Sequence, residues 1–144
     1  MLRCMARLAV TLGLFLVLTA HAGTNESCEG MPYRDQNQID TKIRIRDLTG
    51  ITIDKQNVPV PGVCVGIFTE PDHRLIATMK TDDNGKFRFQ GIGRGMYRLV
   101  AEYPAFGTAN TVAIVGGQGE RSLVVRMRPA GIDTTSFVER SVPK

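Results

Sequence analysis

Between residues 43 and 128 the chain is a train of short β-rich runs, each closed by a cluster of Gly, Pro, Asn or Asp. Alternation of apolar and polar residues over four to eight positions marks a half-buried strand. Turn clusters at this spacing belong to all-β sandwiches and barrels. No window outside the N-terminal segment carries the apolar spacing of an amphipathic helix. The connections are too short for β-α-β crossovers, which need a dozen or more residues.

Seven strands follow from this pattern. Ile43–Ile53 opens the set, with Gly50 marking a bulge. Pro59 and Pro61 then turn the chain, because proline fixes φ and removes a ladder donor. Val63–Thr69 places Val63, Val65 and Ile67 on one face and Cys64, Gly66 and Phe68 on the other. Both faces are apolar, so this strand is expected in the centre of a sheet. Leu75–Lys80 follows, and Asp82-Asp83-Asn84-Gly85 is the strongest hairpin signal in the chain. Lys86–Gln90 returns with Phe87 and Phe89 inward and Lys86, Arg88 and Gln90 outward. Met96–Tyr103, Asn110–Val115 and Arg121–Met127 complete the set. Arg98 falls on an outward position by the same alternation. The expected fold is a seven-stranded antiparallel Greek-key β-sandwich of the transthyretin-like or Ig-like kind, with a closed barrel as the alternative.

What precedes the sandwich bears on compartment. Residues 1–22 carry Arg3 and Arg7, an apolar run at Leu8–Leu18, and Ala20-His21-Ala22 before Gly23. This is the pattern of a secretory signal peptide cut after Ala22. Its apolar run is short of the roughly 20 residues needed to span a bilayer. No later stretch approaches that length. The formal charge of +4 includes both leader arginines, and the leader holds no acid, so the mature chain carries +2. So mild a charge gives no case for nucleic acid. Residues 23–42 read as an extended polar lead-in, residues 43–128 as the sandwich, and residues 129–144 as a weakly patterned C-terminal tail.

Cys4 leaves with the leader, so Cys28 and Cys64 remain. In an oxidising compartment a bridge between them is favoured over two separate thiols. Such a bridge stabilises by about 3–4 kcal/mol through loop entropy.

Four stretches resemble the carboxypeptidase regulatory-like domains, which have a transthyretin-like sandwich. They are Gly50-Ile51-Thr52-Ile53-Asp54, Val60-Pro61-Gly62-Val63-Cys64-Val65, the hairpin Thr81–Phe89, and Gly91–Leu99 with its Tyr97-x-Leu99 strand. Their order and spacing, rather than any single stretch, carry the resemblance. It implies a stable accessory or binding unit, not a reaction.

The residues themselves offer little chemistry. His73 is the one histidine left after the leader is removed, and it sits in a turn beside Asp72. No zinc-binding His pattern and no Ser-His-Asp set accompanies it. Hydroxyisourate hydrolases share the architecture, but their several histidines and C-terminal Tyr-Arg-Gly-Ser motif are missing here. Asp82, Asp83 and Asn84 lack the later Glu of a calcium loop and are accounted for as turn residues. Gly91, Gly93 and Gly95 lack the following helix of a phosphate loop. The chain is therefore read as non-enzymatic and without a cofactor.

Arg88, Arg98, Arg126 and Arg128 all take outward positions and would form an anion-binding stripe if their strands were neighbours. A solvated sheet face is the plainer account. Binding through the loops at 70–74, 82–85, 91–95 and 104–109, or through a sheet edge, is the expected mode. The partner would be a protein or a glycan outside the cytoplasm. A self-associating envelope protein is the second reading, and a transthyretin-like enzyme the third.

Overall fold

The computed structural model describes residues 28–33, 42–131 and 136–141. The leader and most of the lead-in lie outside these residues. Nine strands run in chain order: β1 (Lys42–Ile45), β2 (Thr49–Ile53), β3 (Cys64–Thr69), β4 (Leu75–Lys80), β5 (Lys86–Arg88), β6 (Gly95–Glu102), β7 (Ala109–Val115), β8 (Leu123–Arg126) and β9 (Phe137–Arg140). They form a five-stranded sheet ordered β1-β7-β6-β3-β4 and a four-stranded sheet ordered β5-β2-β8-β9. The chain is thus the expected all-β sandwich.

Two strands beyond the expected seven have separate causes. The run Ile43–Ile53 is two strands, because the turn at Arg46–Leu48 carries the chain from one sheet to the other. Arg46 N donates to Glu120 O at 3.1 Å and Thr49 N to Asp47 O at 2.8 Å in that turn. The tail supplies β9, which pairs antiparallel with β8. Most neighbours are antiparallel, but β1 lies parallel to β7 and β2 parallel to β8. These pairs join strands far apart in sequence, so they need no crossover helix between consecutive strands.

Gly50 is not a bulge. Its register with Phe87 and Leu123 is unbroken. Glycine is required there because a Cβ would collide with the Phe87 ring.

Period-two alternation fills the space between the sheets. Ile43, Ile45, Val65, Ile67 and Leu99 come from one layer, and Phe87, Leu123, Val125 and Val138 from the other. All nine are at most 8% exposed. Each such side chain contributes about 1.5–3 kcal/mol on burial.

A second, smaller apolar cluster lies on the outer face of the five-stranded sheet. Phe68 and Val100 point away from the core, yet are 2% and 0% exposed. Met31 and Tyr33 of the lead-in cover them. Cys28 anchors this cover through a disulfide to Cys64 of β3, with Cα atoms 5.9 Å apart. Thr78 of β4 holds the Cys28 backbone from the side. Its Oγ1 accepts from Cys28 N at 3.0 Å and donates to Cys28 O at 3.1 Å. Beneath Met31 lies Gly66, where any side chain would strike the thioether sulfur.

Candidate functional site

Among the described residues, two places that gather polar side chains stand out. The first is the far end of the lead-in cover. Arg98 on β6 is 4% exposed, and its Nε donates to Glu70 Oε1 at 2.7 Å. Its Nη1 lies 3.4 Å from Asn110 Oδ1 on β7. Tyr33 stacks on His73 with ring centres 3.9 Å apart and planes 11° from parallel. The same Tyr33 ring meets Phe68 edge-on at 5.5 Å and lies 5.7 Å from the Arg98 guanidinium.

The expectation that Arg98 faces solvent is therefore corrected. Alternation did place it on the outer face, but that face is covered. A buried guanidinium needs a charged partner, and Glu70, whose side chain is 12% exposed, supplies it. His73 Nε2 also faces Glu70, at 3.6 Å from Oε2. The imidazole, 44% exposed, thus lies against the Tyr33 ring and near a carboxylate already engaged by Arg98. This is a docking joint for the lead-in.

The second place is the open side of the sandwich, where β4 and β5 end their respective sheets. The hairpin at 81–85 joins them across the gap. A groove of about 410 Å³ lies there, flanked by Lys80, Lys86 and Arg88. Gln90 and Thr49 add polar groups, and Asp82 is its one acid. Asp82 Oδ1 accepts from Asn84 N at 2.9 Å and Lys86 N at 2.8 Å, so that oxygen serves its own turn. This turn role also accounts for the Asp82-Asp83-Asn84 run. Among the described residues no group of three or more metal-ligating side chains occurs.

The four arginines do not form one stripe. Arg88 lies on β5, Arg126 on β8 with Arg128 just beyond, and Arg98 in the other sheet. Alternation fixes the face of a strand, not the sheet it joins. Arg126 Nε and Nη2 both donate to Glu139 Oε1 on β9, at 3.0 and 2.6 Å. Its Nη1 reaches Asn57 Oδ1 at 2.8 Å. Arg128 lies over the Phe137 ring at 4.8 Å, and its backbone N donates to Ser136 Oγ at 2.9 Å. Both fasten β9. Of the four, only Arg88 faces the groove.

The candidate loops also divide. The register Cys64↔Glu102 and Thr69↔Tyr97 puts loops 70–74 and 91–95 at one end of the sandwich. Loops 82–85 and 104–109 fall at the other end, next to Lys80 and Glu102. Sequence reasoning missed Tyr33 and Asn110 at the joint and Lys80 at the groove; it had Glu70 only as part of the 70–74 loop and Lys86 only as an outward residue. The signal for Lys86 was present in its alternation with Arg88.

Fold and site together define a small β-sandwich module with cationic edges. The chain belongs to the carboxypeptidase regulatory-like domain family, whose pattern matches residues 47–128. That domain is a non-catalytic β-sandwich. No curated protein matches the chain. Among solved structures it is similar to 5-hydroxyisourate hydrolase of Klebsiella pneumoniae, at 20% identity and a TM-score of 0.51. That match covers 67% of this chain and 94% of the hydrolase, and it shows the shared fold alone. A 3-chlorocatechol 1,2-dioxygenase from Rhodococcus opacus matches at 13% identity and a TM-score of 0.38, covering 77% of this chain and 64% of the enzyme.

Proposed function

We propose that this chain is an exported, non-catalytic interaction module that works in the periplasm or outside the cell. The leader pattern of residues 1–22 and the Cys28–Cys64 disulfide support export. No described helix is long and apolar enough to cross a membrane. His73, the residue a catalytic reading would need, stacks on Tyr33 and lies 3.6 Å from Glu70 with its side chain 44% exposed.

The observation that carries the interaction role is the open side between β4 and β5. Each strand ends its sheet there, with no neighbouring strand among the described residues. A sheet edge of this kind can accept an extended segment from a partner.

The test is made on protein recovered from an export-competent host. Its N-terminus should be Gly23, and its native fraction should contain a stable assembly with a different protein. A discrete homo-oligomer would favour the self-association reading instead. Retention of residues 1–22 in the cell would contradict export.

A further inference from the structure

We infer that the outer face of the five-stranded sheet docks on an anionic phospholipid surface, at the end that carries loops 70–74 and 91–95. This goes beyond the interaction reading above and uses the end of the sandwich opposite the 81–85 hairpin.

The strand registers lay out two rows on this face. Directly paired residues share a face of a sheet, so each row reads straight across the strands. One row runs Arg44, Ile114, Met96. The next runs Lys42, Val112, Arg98, Phe68, Leu75. Neighbouring strands lie about 4.8 Å apart, so the longer row spans about 19 Å. Its middle is closed, with Val112, Arg98 and Phe68 at most 4% exposed. The ends are open. Lys42 and Arg44 are exposed on β1, while Ile43 and Ile45 fill the core from its other side. Met96 is 43% exposed, Leu75 41%, and Ile76, at the bulge beside Leu75, 39%.

Three of the four large apolar side chains exposed among the described residues thus sit at this end, the fourth being Val58. Cations flank them. Arg94, two residues before Met96, lies against Gly116, and Arg74 precedes Leu75; both are exposed. Among the described residues Lys42, Arg44, Arg74 and Arg94 form no ion pair. Against these four stands Asp72, the exposed acid of loop 70–74. The Glu70 carboxylate is already taken by Arg98.

The spacing of the apolar groups selects the occupant. The cover on Phe68 separates Leu75 and Ile76 from Met96, so they form no contiguous patch. A protein partner is held by a contiguous desolvated core. A bilayer interface accepts single apolar side chains set between cations that meet phosphates. Tyr33, partly exposed between them, is a side chain of the kind that lies at headgroup level. A second copy fits less well, because its face would bring the same four cations against these.

The experiment uses the exported, disulfide-bonded protein and sucrose-loaded vesicles of phosphatidylcholine alone or mixed with phosphatidylglycerol. Sedimentation with the mixed vesicles that weakens as salt rises, and none with phosphatidylcholine alone, is expected. Lys42→Gln with Arg44→Gln should weaken binding about thirtyfold, the effect of two cations near a charged surface. Lys55→Gln with Lys86→Gln, on the side of the four-stranded sheet, removes the same charge and should change binding less than about twofold. The chain has no tryptophan, so Met96→Trp places a single indole at the docking point. Its emission should shift to the blue on mixed vesicles and not on phosphatidylcholine. All five sites are exposed, so melting midpoints at the wild-type value show that the variants are folded.

The assignment is overturned by failure to sediment with mixed vesicles at low salt, or by equal loss in the two double variants. An indole emission that mixed vesicles leave unchanged also overturns it. So does burial of this face against a second copy, or against an acidic protein that displaces the mixed vesicles. Vesicle binding by a chain that holds no protein partner would leave this assignment standing while the reading of the open side fails.

Discussion

The sulfur of Met31 occupies the place where a side chain on Gly66 would begin. Met31 is 7% exposed, although it comes from a polar lead-in. The contact turns the outer face of β3 into a second buried layer, and Phe68 and Val100 are closed off with it. Met31→Ala should destabilise the fold by about 2–5 kcal/mol, the range for a buried methionine cut to alanine. Gly66→Val should displace the cover altogether. Denaturant melts of both variants check this, and wild-type midpoints would contradict the packing.

The disulfide closes a separation of 36 residues between the cover and β3. Reduction, or Cys28→Ser with Cys64→Ser, should lower stability by about 3–4 kcal/mol. Urea unfolding with and without a dithiol reductant measures it. Coincident curves would mean that the bridge holds nothing the packing does not already hold.

Arg98 and Glu70 should behave as a coupled pair. Glu70→Gln leaves a buried guanidinium without its counter-charge and should cost about 3 kcal/mol. Arg98→Met leaves Glu70 nearer solvent, with His73 beside it, and should cost less. The double substitution should be milder than the sum of the two. A double-mutant cycle on unfolding free energies reads the coupling, and strict additivity would refute it.

Strand β9 shields β8. Removing residues 132–144 deletes the Arg126–Glu139 pair, the Arg128–Phe137 contact and the β8 ladder on that side. The truncated chain should melt earlier and associate with rising concentration, because β8 becomes an unprotected edge bearing Val124. Sedimentation over a concentration series checks the second effect. A truncated chain as stable and as dispersed as the full one would show that β9 is dispensable.

The strands from β3 to β8 were legible because alternation and turn residues act locally. Phe87 and Phe89 fall inward, and Lys86 and Arg88 outward, as their spacing requires. The division between β1 and β2 was less plain. The apolar residues Ile45, Leu48 and Ile51 step by three there, a break in the two-residue period that the turn at Arg46–Leu48 explains. The burial of Arg98 was not legible from β6, since it depends on a segment some 65 residues earlier folding back over the sheet. A trace of it stood in β3, where Cys64, Gly66 and Phe68 make the second face apolar and so demand a cover. The groove was half legible. Arg88 was visible, but its meeting with Lys80 depends on how two sheets diverge at a hairpin, which no local pattern records.

The most direct test of the lead-in cover is a nuclear Overhauser measurement on the oxidised mature protein with labelled methionine methyls. The Met31 methyl should show contacts to the Phe68 ring and the Val100 methyls and resonate away from its random-coil position. A Met31 methyl at the random-coil shift, without contacts to either residue, would contradict the account.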